Sequence, residues 1–195
     1  TTKPTEEFEG YVTVRGGNYD LRHIDGAINI PLATDQLLLR VAGVYEKRDG
    51  YQRNLFDGGR LGNVIRYGMR GSLTMNFSER LSNELVADYA HVGGNSLGLV
   101  LYSTNTASSV PVANLLSPAN PRFADYLVQH AGAFSGGLLA YLPVQQERGP
   151  FKVALDFSND HKARNVIVSN RTTWELDSDT SIKNIFGYNR LRSVD

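Results

Sequence analysis

Over residues 65–77 apolar and polar side chains alternate without a break: Ile65, Tyr67, Met69, Gly71, Leu73, Met75 and Phe77 on one face, Arg66, Gly68, Arg70, Ser72, Thr74 and Asn76 on the other. A period of two is the signature of a β-strand, because successive side chains leave opposite faces of the pleat. Thirteen residues exceed the roughly 5–6 of an ordinary strand and the roughly 9–11 that a tilted strand needs to cross a bilayer. The spacing predicts a strand long enough to span a membrane.

The pattern recurs along the chain. Gly10, Val12, Val14 and Gly16 oppose Tyr11, Thr13 and Arg15; Ile24, Gly26, Ile28, Ile30 and Leu32 oppose His23, Asp25, Ala27 and Asn29. Leu37, Leu39, Val41, Gly43 and Tyr45 oppose Leu38, Arg40, Ala42, Val44 and Glu46, and Leu85, Ala87 and Tyr89 oppose Glu84, Val86 and Asp88. Val166, Val168, Thr172, Trp174 and Leu176 oppose Ser169, Arg171, Thr173 and Glu175, while Ile182, Phe186 and Tyr188 share a face that Lys183 and Asn189 avoid. Seven strands are predicted.

The connections alternate in length. Residues 33–36, 78–82 and 177–180 are tight polar turns; residues 53–63 and about 93–165 are long, and 17–21 is a short link on the long side. Short turns at one end and long loops at the other are the layout of outer-membrane barrels. The longest connection carries Gly93, Gly94, Asn95, Ser108, Ser109, Pro111, Ser117 and Pro118, which predicts irregular chain. One short helix is expected over 121–130, with Asn120 as its cap and Pro121 at its first position. Phe8, Phe77 and Trp174 fall near the turn end, and Tyr19, Tyr45, Tyr67 and Tyr89 near the loop end. Two aromatic girdles suit two membrane interfaces.

Composition narrows the picture. The 195 residues carry 20 basic and 20 acidic side chains, a formal net charge of zero, so no electrostatic footprint for nucleic acid exists. No cysteine is present, which excludes disulfides, thiolate metal sites and a cysteine nucleophile in this chain. No apolar stretch approaches the roughly 18 residues of a membrane helix. A mean hydropathy of −0.30 suits a soluble protein and equally a membrane barrel, whose two strand faces average out.

Candidate chemistry is sparse. His23, His91, His130 and His161 lack metal-ligand spacing, and Asp156, Asp160 and His161 offer no ordered set of oxygen ligands. Ser108 and Ser109 lack the strand, tight glycine turn and helix of a nucleophile elbow. No catalytic constellation is visible, so the chain reads as a non-enzyme without a cofactor. The polar row is the remaining candidate: Arg15, Arg40, Arg66 and Arg70 share inner faces of neighbouring strands with Asp25, Glu46, Asp88 and Glu175. These charges suffice to pair with one another; alternatively, Arg66 and Arg70 attract an anionic ligand, since guanidinium binds carboxylate and phosphate bidentately. Alternation by itself also fits a soluble antiparallel sandwich.

Several stretches resemble one family. Thr2, Lys3 and Pro4 resemble the end of the plug domain of TonB-dependent outer-membrane receptors, just before their barrel. Gly16, Gly17, Asn18, Tyr19, Asp20, then Gly26, Ala27, Ile28, Asn29, Ile30, Pro31, Leu32, and Leu39, Arg40, Val41, Ala42, Gly43 look like that family's first three barrel strands. Lys47, Arg48, Asp49, Gly50, Tyr51 and the run from Arg66 to Leu73 resemble the continuation of that barrel. The likeness covers residues 1 to about 92, hardly touches the long loop, and returns over 165–190 as barrel pattern.

The resemblance implies an all-β fold: an antiparallel up-and-down transmembrane β-barrel of about 22 strands with a plugged lumen, of which residues 1–195 supply about seven strands. Residues 1–7 are then the end of the plug or its linker, and about 93–165 one long extracellular loop. The implied function is active transport of a scarce nutrient across the bacterial outer membrane, foremost a ferric siderophore, by binding and gated uptake. Implied partners are that ligand, outer-membrane lipid, the plug and TonB, the last two contacting residues outside this chain. Tyr102, Phe123, Tyr126 and Phe134 in the long loop offer aromatic contact area for a ligand, and packing within the loop accounts for them equally well. A passive porin and a soluble β-sandwich binding module are the competing readings; a barrel enzyme would need a serine, histidine and carboxylate set that the sequence does not offer.

Overall fold

The computed structural model describes residues 2–103, 137–156 and 160–194. They fall into two units: residues 2–51, 60–96 and 160–194 form the first, and 52–59, 97–103 and 137–156 the second.

The first unit is built on seven long strands. They are β1 (Glu9–Gly17), β2 (Leu21–Ala33), β3 (Leu37–Arg48), β6 (Val64–Ser78), β7 (Leu81–Asn95), β9 (Asp160–Glu175) and β10 (Ser181–Val194), interrupted in sequence by the short β4 (Gln52–Asn54), β5 (Arg60–Leu61) and β8 (Lys152–Val153). The long strands form one sheet in the order β1-β2-β3-β6-β7-β9-β10, every neighbouring pair antiparallel. Each strand pairs with the next long strand in the chain, as tight connections favour.

Local chemistry explains the joints. Tyr19 and Asp20 have φ of 61° and 53°, the left-handed conformations that turn a chain in the sense of strand twist. Asp35, with φ 60°, closes the next turn, where Gln36 N donates to Ala33 O at 3.1 Å. Register shifts interrupt the β2–β3 ladder between Pro31 and Ala33, where Pro31 has no amide to donate, and the β6–β7 ladder between Asn76 and Ser78. At the far end Gly94 has φ 148°, and Asn63 O crowds the place a Cβ would take. Asn63 and Asn95 side chains there accept from each other's backbone amides, at 2.7 and 3.1 Å.

Register carries the alternating faces across the whole sheet. Val12, Gly26 and Gly43 align with Met69 and Tyr89, and Thr13 aligns with Asp25 and Val44. One face is therefore mainly apolar through the middle of the sheet and the other mainly polar. In β2 the polar face is the more buried of the two. In β2 the buried residues His23, Ala27 and Asn29 lie on the polar face, whereas Ile24 and Ile28 on the apolar face are exposed. Met69 at 65% and Val14 at 73% exposure continue the apolar face toward solvent. Among the described residues of this unit, only Ala27, Leu38 and Leu61 are buried apolar side chains.

The second unit adds regular elements that the sequence pattern does not place in the long connection, much of which, over 104–136, lies outside the described residues. It holds helix α1 (Gly137–Arg148) and the parallel pair β4–β8, with Arg53 opposite Lys152 and Asn54 opposite Val153. Buried amides hold it together. Gln52 Nε2 donates to Gly98 O (3.1 Å) and Pro150 O (3.2 Å), while Gly98 N donates to Gln52 Oε1 (2.7 Å). Asn54 pairs in both directions with the backbone of Leu155 at 2.9 Å, and Gln145 Nε2 donates to Gly149 O and Lys152 O at 3.0 Å. Buried amides of this kind satisfy backbone groups that no long strand pairs. The connection over 53–63, expected as a plain loop, likewise carries strand residues at both ends. The helix expected over 121–130 lies outside the described residues.

Candidate functional site

The polar face of the first unit is a lattice of charged and amide side chains laid down by strand register. At one level Arg15 (β1), His23 (β2), Glu46 (β3) and Arg66 (β6) stand in consecutive strands. His23 Nδ1 lies 2.9 Å from Glu46 Oε2, and His23 Nε2 lies 2.8 Å from Asp25 Oδ1 and 2.9 Å from an Arg15 nitrogen. Nε2 cannot at once donate to Asp25 and accept from Arg15; the histidine tautomer chooses between them. Arg15 also donates to Asp25 (3.2 Å), and Arg66 to Glu46 (2.9 Å).

Deeper along the strands, Arg70 on β6 donates to Asp88 on β7. Arg40 Nη1 donates to Asn29 Oδ1 (3.1 Å), and Asn29 Nδ2 donates to Glu9 Oε1 (2.9 Å). All four arginines singled out in the sequence thus lie on this face, on β1, β3 and β6, and each is held by a neighbour. Their side chains remain accessible, 63% for Arg15, 50% for Arg66 and 44% for Arg70.

A second feature crosses the same face. Lys3, in the segment before β1, pairs with Glu84 on β7, and Glu84 also accepts from Arg171 on β9. A groove of about 350 Å³ runs between Thr2 and Pro4 of this segment and Ser72, Glu84, Ser169 and Arg171 of the sheet. Because β1 is an edge strand and β7 stands four strands away, the segment spans the polar face instead of continuing the sheet. The sequence offers no sign of this contact, since Lys3 and Glu84 are far apart and no periodicity links them.

Tyr102 is 86% exposed in the second unit; Phe123, Tyr126 and Phe134 lie outside the described residues. Asp156 belongs to the second unit and Asp160 and His161 to the first. Sequence reasoning misses His23 as the hub of the polar lattice and Asn29 as its buried anchor. His23 and Asp25 are two apart on one strand and so share a face, a legible signal; the pairing with Glu46 needs the register.

No family model, curated protein or solved structure matches this chain. What the geometry defines is a class: an antiparallel sheet of seven long strands, apolar and exposed on one side, polar and hydrogen-bonded on the other.

Proposed function

We propose that this chain is part of the barrel wall of an outer-membrane TonB-dependent active transporter, with the apolar face toward lipid and the polar face toward a lumen. The observation that carries the reading is the reversed burial of β2, exposed at Ile24 and Ile28 and buried at His23 and Asn29. Lipid accepts an apolar face that water penalises, and large contiguous exposed apolar surfaces are rare on soluble monomers. A soluble sandwich would cover that face with a second sheet.

Within membranes, Lys3 favours a plugged transporter over a passive porin. Its pairing with Glu84 lays the segment before β1 across the polar face, as a chain leaving a lumenal plug would run. The cargo is a scarce nutrient taken up by binding and gated passage, a ferric siderophore foremost, and Arg15, Arg40, Arg66 and Arg70 line its path. An anionic chelate displaces Glu46 and Asp88 from Arg66 and Arg70, exchanging one charge-assisted contact for another.

The test is uptake of radiolabelled ferric siderophores by cells carrying the intact protein, with and without TonB, alongside Arg66→Ala with Arg70→Ala. TonB-dependent uptake that the double variant weakens supports the reading. Uptake that ignores TonB supports the porin, and a protein recovered as a soluble monomer without detergent supports the sandwich.

A further inference from the structure

The apolar face is uncharged through its middle and basic at one end. Aligned by register, the charged residues on this face of the seven long strands are Arg22, Lys47, Lys162, Arg164, Arg190 and Arg192, against the single carboxylate Asp160. All lie at the end away from the tight turns over 33–36, 78–82 and 177–180. Arg22 pairs with Asp20. Lys162, Arg164, Arg190 and Arg192 make no ion pair among the described residues, and Arg164 stands directly opposite Arg192 on the neighbouring strand. Like charges facing each other across a ladder destabilise a sheet. Four cations converging on β9 and β10 are therefore unexplained by the fold's own interactions.

Their height is informative. Arg164 is ten residues from Trp174 on β9, roughly 34 Å along a strand, or about 26 Å across a bilayer at the tilt usual for barrels, close to the ~25 Å of their apolar band. If Trp174 stands at one lipid interface, Arg164 and Arg192 stand at the other, level with headgroups. The polar face shows no such bias, since its arginines alternate with Glu9, Asp25, Glu46, Glu84 and Asp88.

We propose that Lys162, Arg164, Arg190 and Arg192 form a binding site for the phosphate groups of an anionic lipid headgroup in the outer leaflet. This rests on the transmembrane reading above. Arginine presents a planar fork that matches phosphate bidentately, and lysine adds a point charge. The acyl chains of the same lipid lie along Val166, Val168, Phe186 and Tyr188, which share the face immediately below.

The test uses the intact protein, reconstituted into phosphatidylcholine vesicles with and without lipid A, whose sugar headgroup carries phosphates. Flotation is read first: a protein that does not float with either vesicle contradicts the transmembrane reading and this site together. For a protein that floats, lipid A is expected to bind with an affinity that falls about fivefold per cation removed, hence roughly twenty-fivefold in Arg164→Gln with Arg192→Gln. Arg164→Lys with Arg192→Lys keeps most of the binding, and Lys183→Gln on the polar face leaves it unchanged. Equal lipid A binding by the glutamine variant and the parent overturns the site while leaving the transporter reading standing. So does inorganic phosphate binding as tightly as lipid A, which would make the patch a soluble-anion site.

Discussion

Ile28 and Asn29 are adjacent in β2, yet Ile28 is 37% exposed and Asn29 only 1%. The isoleucine shares its face with Val41 and Gly71 and the asparagine with Arg40 and Ser72. Under the proposed transmembrane reading, lipid surrounds the first and a polar lumen the second, the arrangement of a barrel wall.

Reversing the polarity of the two faces therefore has unequal costs. Ile28→Arg places a charge near the middle of the apolar face and is expected to cost about 2–4 kcal/mol of folding stability in a bilayer. Tyr11→Arg, on the polar face, is expected to cost little. Urea titration of the intact protein folded in vesicles, followed by the mobility shift of folded barrels in gels, separates the two.

Asn29→Ala removes the partner of Arg40 Nη1 and one of the donors to Glu9 Oε1 at a buried position. Leaving charged groups without their buried hydrogen bonds costs about 1–3 kcal/mol. The same titration measures it, and Asn29→Asp is expected to recover the Arg40 contact while repelling Glu9.

The seven long strands and their two faces were legible because one physical rule, the period of two, acts at every residue of a strand. The strand expected over 65–77 is observed as Val64–Ser78. What stayed hidden depends on residues distant in sequence. Gln52, Asn54 and Gln145 fold the second unit by bonding backbone groups up to about a hundred residues away, a relation without period. Helix α1 contains Pro143, a residue that argues against a helix interior. Among the polar row, the arginines were legible by type and face, whereas His23 needed Glu46 opposite it. Arg164 and Arg190 escape notice in the sequence because an alternating pattern tolerates exceptions at strand ends.

The segment before β1 is held by Lys3 on Glu84. Lys3→Ala and Glu84→Gln are each expected to raise amide hydrogen exchange over residues 2–8 in the intact protein, whereas Arg171→Ala, which leaves the Lys3–Glu84 pair in place, is not. Lys3 is largely exposed, so the global stability change on Lys3→Ala stays within about 1 kcal/mol. Equal exchange in all three variants would show that the segment is held by something else.

The turn between β9 and β10 titrates. Asp177 accepts from the Asp179 amide at 2.9 Å, and this bond, followed by those to Thr180, lowers its carboxyl below the ordinary aspartate value of 3.8. A carboxyl held low in the folded chain stabilises fully above its unfolded value, and the contribution is lost as pH falls through the folded one. Exchange of the Asp179 amide is therefore expected to accelerate below about pH 4. Asp177→Asn keeps an acceptor oxygen and removes that acceleration.

The central claim is the orientation of the two faces, and β6 tests it most directly. This chain has no cysteine, so single cysteines introduced at successive positions from Ile65 to Phe77 can each carry a fluorescent label in the intact protein folded into vesicles. Quenching by lipid-borne quenchers is predicted at 67, 69, 73 and 75, and quenching by aqueous iodide at 66, 70, 72 and 74. Quenching without alternation, or with the two sets exchanged, would contradict a barrel wall whose apolar face meets lipid.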